Sequence, residues 1–348
     1  MILCCAHKNV FLRCFKQVFR LLLACSLIAV NAWGQESTRI LSGNLKDGVE
    51  PLHIRYPLLG IHNIYRTQGV YAFELLHLLC EKSGRPYILK EIPLRTIPWE
   101  RIVLYVQNEE IDVMLQHTNL DLEEALKPVR YPVYRGLVGW RIFFIRAADV
   151  NRMSSIQSLA DMKRLKAGQG YTWPDTEVLK SNGFYVRSAL DYQSLFKMLD
   201  SGRIDYFARS VAEVKDEVIK FPSERFVVEK SIVLRYPTAA YFFVADKNQA
   251  LADLIALGFE NALADGSFQA LFVRYFGDNI RWANLQQRKI FSLSNPHLSS
   301  KTPLKRKELW FSPDSLLQDS LLKENLLKEN LLKENLLKEN LPNEGENL

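Results

Sequence analysis

Between residues 69 and 277 the chain switches repeatedly between two apolar spacings. "GVYAFELLHLLCEKSG" (69–84) places apolar residues every three to four positions and stops at Gly84, which predicts a helix. "YILKEI" (87–92) then predicts a strand, and "PWERIVLYVQNEE" (98–110) a helix opened by Pro98. "IDVMLQ" (111–116) reads as a buried strand, and "VGWRIFFIR" (138–146) as a longer one. "SSIQSLADMKRL" (154–165) predicts a helix capped by Ser154 or Ser155. "YQSLFKML" (192–199) is a helix pattern, and "RIDYFA" (203–208) and "AAYFFVA" (239–245) are strand patterns. Residues 249–277 predict two helices parted near Asp265 and Gly266.

Alternation of this kind specifies an α/β architecture with mostly parallel sheets. One plan occurs twice. "IVLYVQNEEIDVML" (102–115) and "SLFKMLDSGRIDYF" (194–207) each run from an apolar helix through a short turn into an Ile-Asp strand. The repetition predicts two lobes of similar build. Ligands of open α/β sheets lie beyond the carboxyl ends of strands, so both strands would aim at one crevice. Asp112 and Asp205, inside the repeated motif, are expected to be structural turn residues.

The two ends of the chain do not follow the pattern. Residues 21–30, "LLLACSLIAV", are apolar and follow a basic segment ending at Arg20; small residues come next. That order predicts a cleavable signal peptide over 1–34, and the apolar run is about half of the roughly 20 residues a spanning helix needs. At the other end "LLKEN" recurs in tandem between 316 and 345. A five-residue step advances about 140° beyond a full helical turn, which spreads the leucines around the axis and leaves no coiled-coil seam. Glu324–Lys328, Glu329–Lys333 and Glu334–Lys338 give favourable i,i+4 pairs, so a solvated, weakly helical appendage is expected.

Composition narrows the picture further. The chain has 348 residues, 48% hydrophobic, enough for two lobes with a real core. Its formal net charge of +6 includes Lys8, Arg13, Lys16 and Arg20 of the signal segment, which carries no acid, and this argues against nucleic acid as the main partner. Cys4, Cys5, Cys14 and Cys25 leave with the signal. Cys80 remains alone, a small hydrophobe on a helix with no disulfide to make. A periplasmic destination follows, with no cofactor and a monomer expected.

The segments "GVYAFELLHLLCEKSG", "PWERIVLYVQNEEIDVML", "SSIQSLADM", "LFKMLDSGRIDYF" and "ALADGSFQALFVRYFG" occur in the order found in family 3 periplasmic solute-binding proteins, which the chain resembles over residues 40–278. The resemblance implies a two-lobed type II periplasmic-binding-protein-like fold with a hinge and an interlobe cleft, followed by the non-globular repeat tail. It implies a first lobe over 35–136 and 240–298, a second over 137–239, hinges near Gly136 and Thr238, and a tail from 299 to 348. It also implies binding of a small molecule for delivery to a membrane permease of the ABC type.

The same resemblance sets an exclusion. Family members that bind α-amino acids are similar in using an Arg and an Asp at positions occupied here by Glu124 and Ser210. A desolvated charge without a partner costs several kcal/mol, so loss of both grips disfavours ordinary α-amino acids. The expected ligand is a small polar organic molecule. The candidate contacts are Gln116, His117 and Thr118 at the end of the first Ile-Asp strand; Tyr171, Thr172, Trp173 and Asp175 in "GQGYTWPDT" (168–176); Arg209; and Arg101. Backbone amides and Thr172 of the second group would form an anion site at a helix N-terminus, and Tyr171 and Trp173 would stack on a flat ligand.

Bland alternatives stand beside these. Arg209 has Glu213 four residues on and pairs with it if the segment is helical. Trp173 suits packing as well as stacking, and Arg101 suits a surface ion pair. His117, Asp121 and Glu124 have helical metal-ligand spacing, but the segment reads as a loop, so no metal is expected. A periplasmic sensor signalling to a membrane partner needs the same closing cleft. An enzyme would need an aimed acid or base, and His117 with Glu124 is the one tempting pair.

Overall fold

The computed structural model describes residues 39–58, 66–94 and 97–314. Residues 1–34, expected to be a signal peptide, and the "LLKEN" repeats lie outside the described residues. The first lobe begins with β1 (Ile40–Gly43), β2 (Leu52–Leu58), α1 (Arg66–Lys82) and β3 (Tyr87–Pro93). β2 and β3 pair in parallel, as two strands joined through a helix must, and the order is β1-β3-β2. α2 (Trp99–Gln107) follows Pro98 and buries Ile102, Val103 and Val106, leading into β4 (Val113–His117). The Asp112 amide donates to Arg55 O at 3.0 Å, which sets β4 beside β2. α3 (Leu120–Ala125) occupies residues expected to be a loop, because the Asn119 side chain accepts from Leu122 N and caps a helix there. β5 (Lys127–Val129) ends this part.

The second lobe is one seven-stranded sheet. Its elements are β6 (Trp140–Arg146), α4 (Val150–Ser154), α5 (Leu159–Lys163), β7 (Lys166–Gly170), α6 (Pro174–Ser181), β8 (Tyr185–Ala189), α7 (Tyr192–Asp200), β9 (Tyr206–Ser210), α8 (Val214–Lys220), β10 (Phe226–Val228) and β11 (Ile232–Arg235). Ser158, not Ser154 or Ser155, provides the N-cap predicted in this stretch; with Asp161 it forms a capping box on α5. β7 pairs in parallel with β8 and β9, whereas β6 runs antiparallel to β9.

The chain then returns. β12 (Ala240–Val244) inserts between β4 and β5, with Ala240 opposite His117. α9 (Gln249–Ala264) and α10 (Ser267–Ala283) pack on the first lobe, parted at Gly266, whose φ of 77° suits glycine. α9 lies so close to α1 that a Cβ on Gly258 would sit 2.2 Å from Leu79 O. The crossing strands approach as tightly: a Cβ on Gly139 would meet Tyr236 O at 2.0 Å.

Two boundaries differ from the sequence reading. β13 (Lys289–Ser292), expected in the returning first lobe, pairs in parallel with β11 and forms an edge of the second sheet. Residues 299–314, expected to begin the tail, are folded. Leu309 and Phe311 are buried, Trp310 packs on Gly136, and Phe311 N donates to Arg135 O at 2.7 Å. Arg306 pairs with Glu260 of α9 at 2.7 Å. "KIFS" is too short and too exposed to show a strand period, and the Pro- and Lys-rich stretch after it scatters its buried residues, Leu309 and Phe311 among them, without a period. The result is an α/β fold of two lobes, the first built on two three-stranded sheets, β1-β3-β2 and β4-β12-β5, and the second on the seven-stranded sheet.

Candidate functional site

The carboxyl ends of β7 and β9 and the start of the antiparallel β6 share one edge of the second sheet, where Arg141 stands opposite Ser210. Arg141 is 3% exposed, inside an otherwise apolar strand. Its Nε donates to the Tyr236 hydroxyl at 2.9 Å, and its Nη2 donates to Asp175 Oδ1, which also receives the Tyr236 hydroxyl. Burial pulls the Arg141 pKa down, but Asp175, Tyr236 and Glu213 outweigh it and keep the guanidinium charged. Asp175 stands in the first turn of α6, where a carboxylate also suits the helix dipole.

Arg209 projects from the other face of the same sheet and is 2% exposed. Its Nε donates to both oxygens of Glu217, at 2.9 and 3.0 Å, and its Nη2 lies 2.8 Å from Glu213 Oε2. The guanidinium sits 4.5 Å from the Trp173 ring centre and 5.4 Å from that of Tyr192. Burial raises the Glu217 pKa, against the opposing effect of Arg209.

The first lobe meets this edge directly. Gln68, in the first turn of α1, donates from Nε2 to Glu213 Oε1 at 2.9 Å. Thr67 Oγ1 lies 3.5 Å from Asp216 Oδ2, and Asn279 of α10 donates to Ala212 O at 3.0 Å. His117, ending β4, lies deep between the lobes yet retains accessible surface. Burial lowers its pKa below the ordinary imidazole value; Arg141 adds to the lowering, while Asp175 and Glu213 oppose it. The ring therefore lies within the field of all three charges. The arrangement offers a neutral imidazole on one lobe and a cation–carboxylate pair on the other.

Of the sequence candidates, Asp175 is held by Arg141 and Tyr236, Arg209 by Glu213 and Glu217, and His117 lies within the field of Asp175 and Glu213. The other sequence candidates stand elsewhere. Gln116 Oε1 accepts from the His117 amide at 2.8 Å. Thr118 is buried and donates to Glu123 at 2.6 Å, so its hydroxyl is committed. Tyr171 is 68% exposed and Thr172 is also exposed; neither faces the buried cluster. The anion site expected at the α6 N-terminus is preoccupied, because that first turn carries Asp175 and Glu177. Trp173 packs against Gly170 and Arg209. Arg209 takes both Glu213 and Glu217, so it serves as a buried structural cation and not as a free grip. Arg101 is exposed on α2 over the Tyr105 ring.

Sequence reasoning missed Arg141, Tyr236, Glu217 and Gln68. One signal was available: Arg141 interrupts "VGWRIFFIR", and a charge inside a buried strand requires a partner. Asp121 and Glu124 are exposed on α3, and no group of three or more His, Cys, Asp or Glu suited to a metal occurs among the described residues. Nor does any described helix have the length and apolarity to cross a membrane.

No family model matches the chain, and no curated protein matches it. Among solved structures it is similar to an ancestral arginine-binding protein bound to arginine, at 18% identity over 65% of this chain and 98% of that one, with a TM-score of 0.46. A Salmonella typhimurium periplasmic binding protein described for high arginine specificity matches at 12% identity over 65% and 99%, with a TM-score of 0.45. The GluR0 ligand-binding core from Nostoc punctiforme, in complex with L-glutamate, matches at 11% identity over 65% and 99%, with a TM-score of 0.43. At these identities and scores the ligands of those proteins do not transfer to this chain.

Proposed function

We propose that the chain is a periplasmic solute-binding protein whose two lobes close on a small polar organic molecule, held for delivery to a membrane permease of the ABC type. The observation that carries this reading is the direct Gln68–Glu213 contact between the lobes, beside the buried Arg141–Asp175 pair and with His117 of the first lobe within the field of those charges. Strand ends from both sheets converge there, the usual location of a ligand in α/β proteins. A neutral imidazole facing one cation and one carboxylate selects for a polar solute and offers no activated nucleophile. Ordinary α-amino acids are disfavoured. Ser210 Oγ already accepts from Ala212 N at 3.1 Å, and Glu124 is an exposed carboxylate on α3, so neither replaces the grips that the sequence resemblance implies.

Thermal melting against amino acids, polyamines, sugars, dicarboxylates and aromatic acids tests the reading. A ligand at 100 times its dissociation constant adds about 2.7 kcal/mol, a visible rise in Tm. The expected result is a rise with at least one non-amino-acid solute, reduced in His117→Ala. A flat response across the panel overturns the reading, and a chemical turnover lost in His117→Ala replaces it with catalysis.

A further inference from the structure

β8 ends the second sheet and pairs only with β7, so its outward N–H and C=O groups have no partner strand among the described residues. Two apolar side chains stand open there beside exposed Arg187: Tyr185 is 54% exposed, and Leu190, just past the strand, 91%. A groove of about 490 Å³ runs beside this edge, lined by Leu190, Ser194, Lys197, Met198 and Arg203 among others. Ser194, Lys197, Met198 and Ser201 repeat at helical spacing along one face of α7, the face a further strand added to β8 would lie against.

Cations outnumber carboxylates at the site: Arg187, Lys197 and Arg203 stand against the single carboxylate lining the groove, Asp191. Arg187, Lys197 and Arg203 make no ion pair among the described residues. The nearby carboxylate, Asp191, is taken by Ser194, whose amide and hydroxyl donate to it at 2.8 and 2.6 Å. We propose that the β8 edge and the α7 groove form a docking site for an extended acidic segment of a partner protein, which adds to the sheet as a strand. Backbone pairing along β8 holds the segment, alternate apolar side chains enter the groove beside Met198, and carboxylates meet Arg187, Lys197 and Arg203. A second copy of this chain is a poor occupant, because two β8 edges laid together bring like charges into register.

Fluorescence anisotropy on the full chain tests this with three eight-residue peptides: one alternating glutamate with valine and threonine, one with lysine in place of glutamate, and one carrying a central proline. Only the first is expected to bind, more weakly as salt rises, and to slow amide exchange over residues 185–190. The surface variant Lys197→Glu/Arg203→Glu is expected to weaken it at least about tenfold while leaving the solute-dependent rise in Tm unchanged. Absence of binding by the glutamate peptide, equal binding by either control, or full binding by the variant overturns the proposal.

Discussion

Asp112 closes on Arg55 in three places: Oδ2 accepts from the Arg55 amide at 2.6 Å and from Nε at 2.8 Å, and Oδ1 accepts from Nη2 at 2.8 Å. Asp205 repeats the device in the other lobe. Its Oδ2 accepts from Lys166 N at 2.7 Å, its own amide donates to Lys166 O at 2.8 Å, and Arg152 donates to Oδ1 at 2.9 Å. In both lobes the Asp of an Ile-Asp strand clamps a neighbouring strand: Asp205 on β7, just ahead of the parallel β7–β9 ladder, and Asp112 on β2, which belongs to a separate sheet. Asp205→Ala strips the acceptor from a strand amide, and it should cost about 2 kcal/mol in urea unfolding. A midpoint unchanged from the parent would remove the clamp from the account.

Arg209 lies between Glu213 and Glu217 with all three nearly dry. Removing it leaves two buried carboxylates that share no cation, so Arg209→Ala should destabilise the fold by about 3–5 kcal/mol. Arg209→Leu combined with Glu217→Leu should recover much of that loss. If Arg209→Ala instead weakens solute binding at unchanged stability, the residue is a ligand grip.

The His117 imidazole titrates below its ordinary value because of burial. Between the folded pKa and about 6.5 the unfolded chain takes a proton that the folded chain refuses. Stability is therefore fully present above about 6.5 and falls as the pH drops through that window. Tm measured from pH 8 to pH 5 should decline more in the parent than in His117→Gln. Superimposable pH profiles would contradict the assigned environment.

Leu309 and Phe311 are 0% and 2% exposed. Each is worth about 1.5–3 kcal/mol on burial, so deletion of residues 299–348 should lower stability by about 3–6 kcal/mol relative to deletion of 315–348 alone. Equal stabilities would mean that the segment contributes nothing to the fold.

What the sequence made legible was local. The Ile-Asp echo and the helix periods around it depend on neighbours within about ten residues, and the lobes they imply follow from that. His117 and Asp175 were legible as polar residues at the mouths of a strand and a helix. The partners were not. Arg141 finds Tyr236 through antiparallel pairing of β6 with β11 and Asp175 on the first turn of α6, and nothing in the spacing of "VGWRIFFIR" records either. Arg209 was visible as a residue, but its second carboxylate, Glu217, lies a full turn into α8 and changes a possible grip into a structural ion. β13 left no signal at all, since four half-exposed residues carry too little pattern to choose a sheet.

That last strand has a consequence for how the chain is made. The second sheet takes its strands from 140–235 but is completed by residues 289–292, after the whole returning half of the first lobe has been added. Neither lobe can be finished while the other is still being synthesised. A nascent chain stopped near residue 280 would carry an open β11 edge, and the second sheet closes only once residues 289–292 have been added.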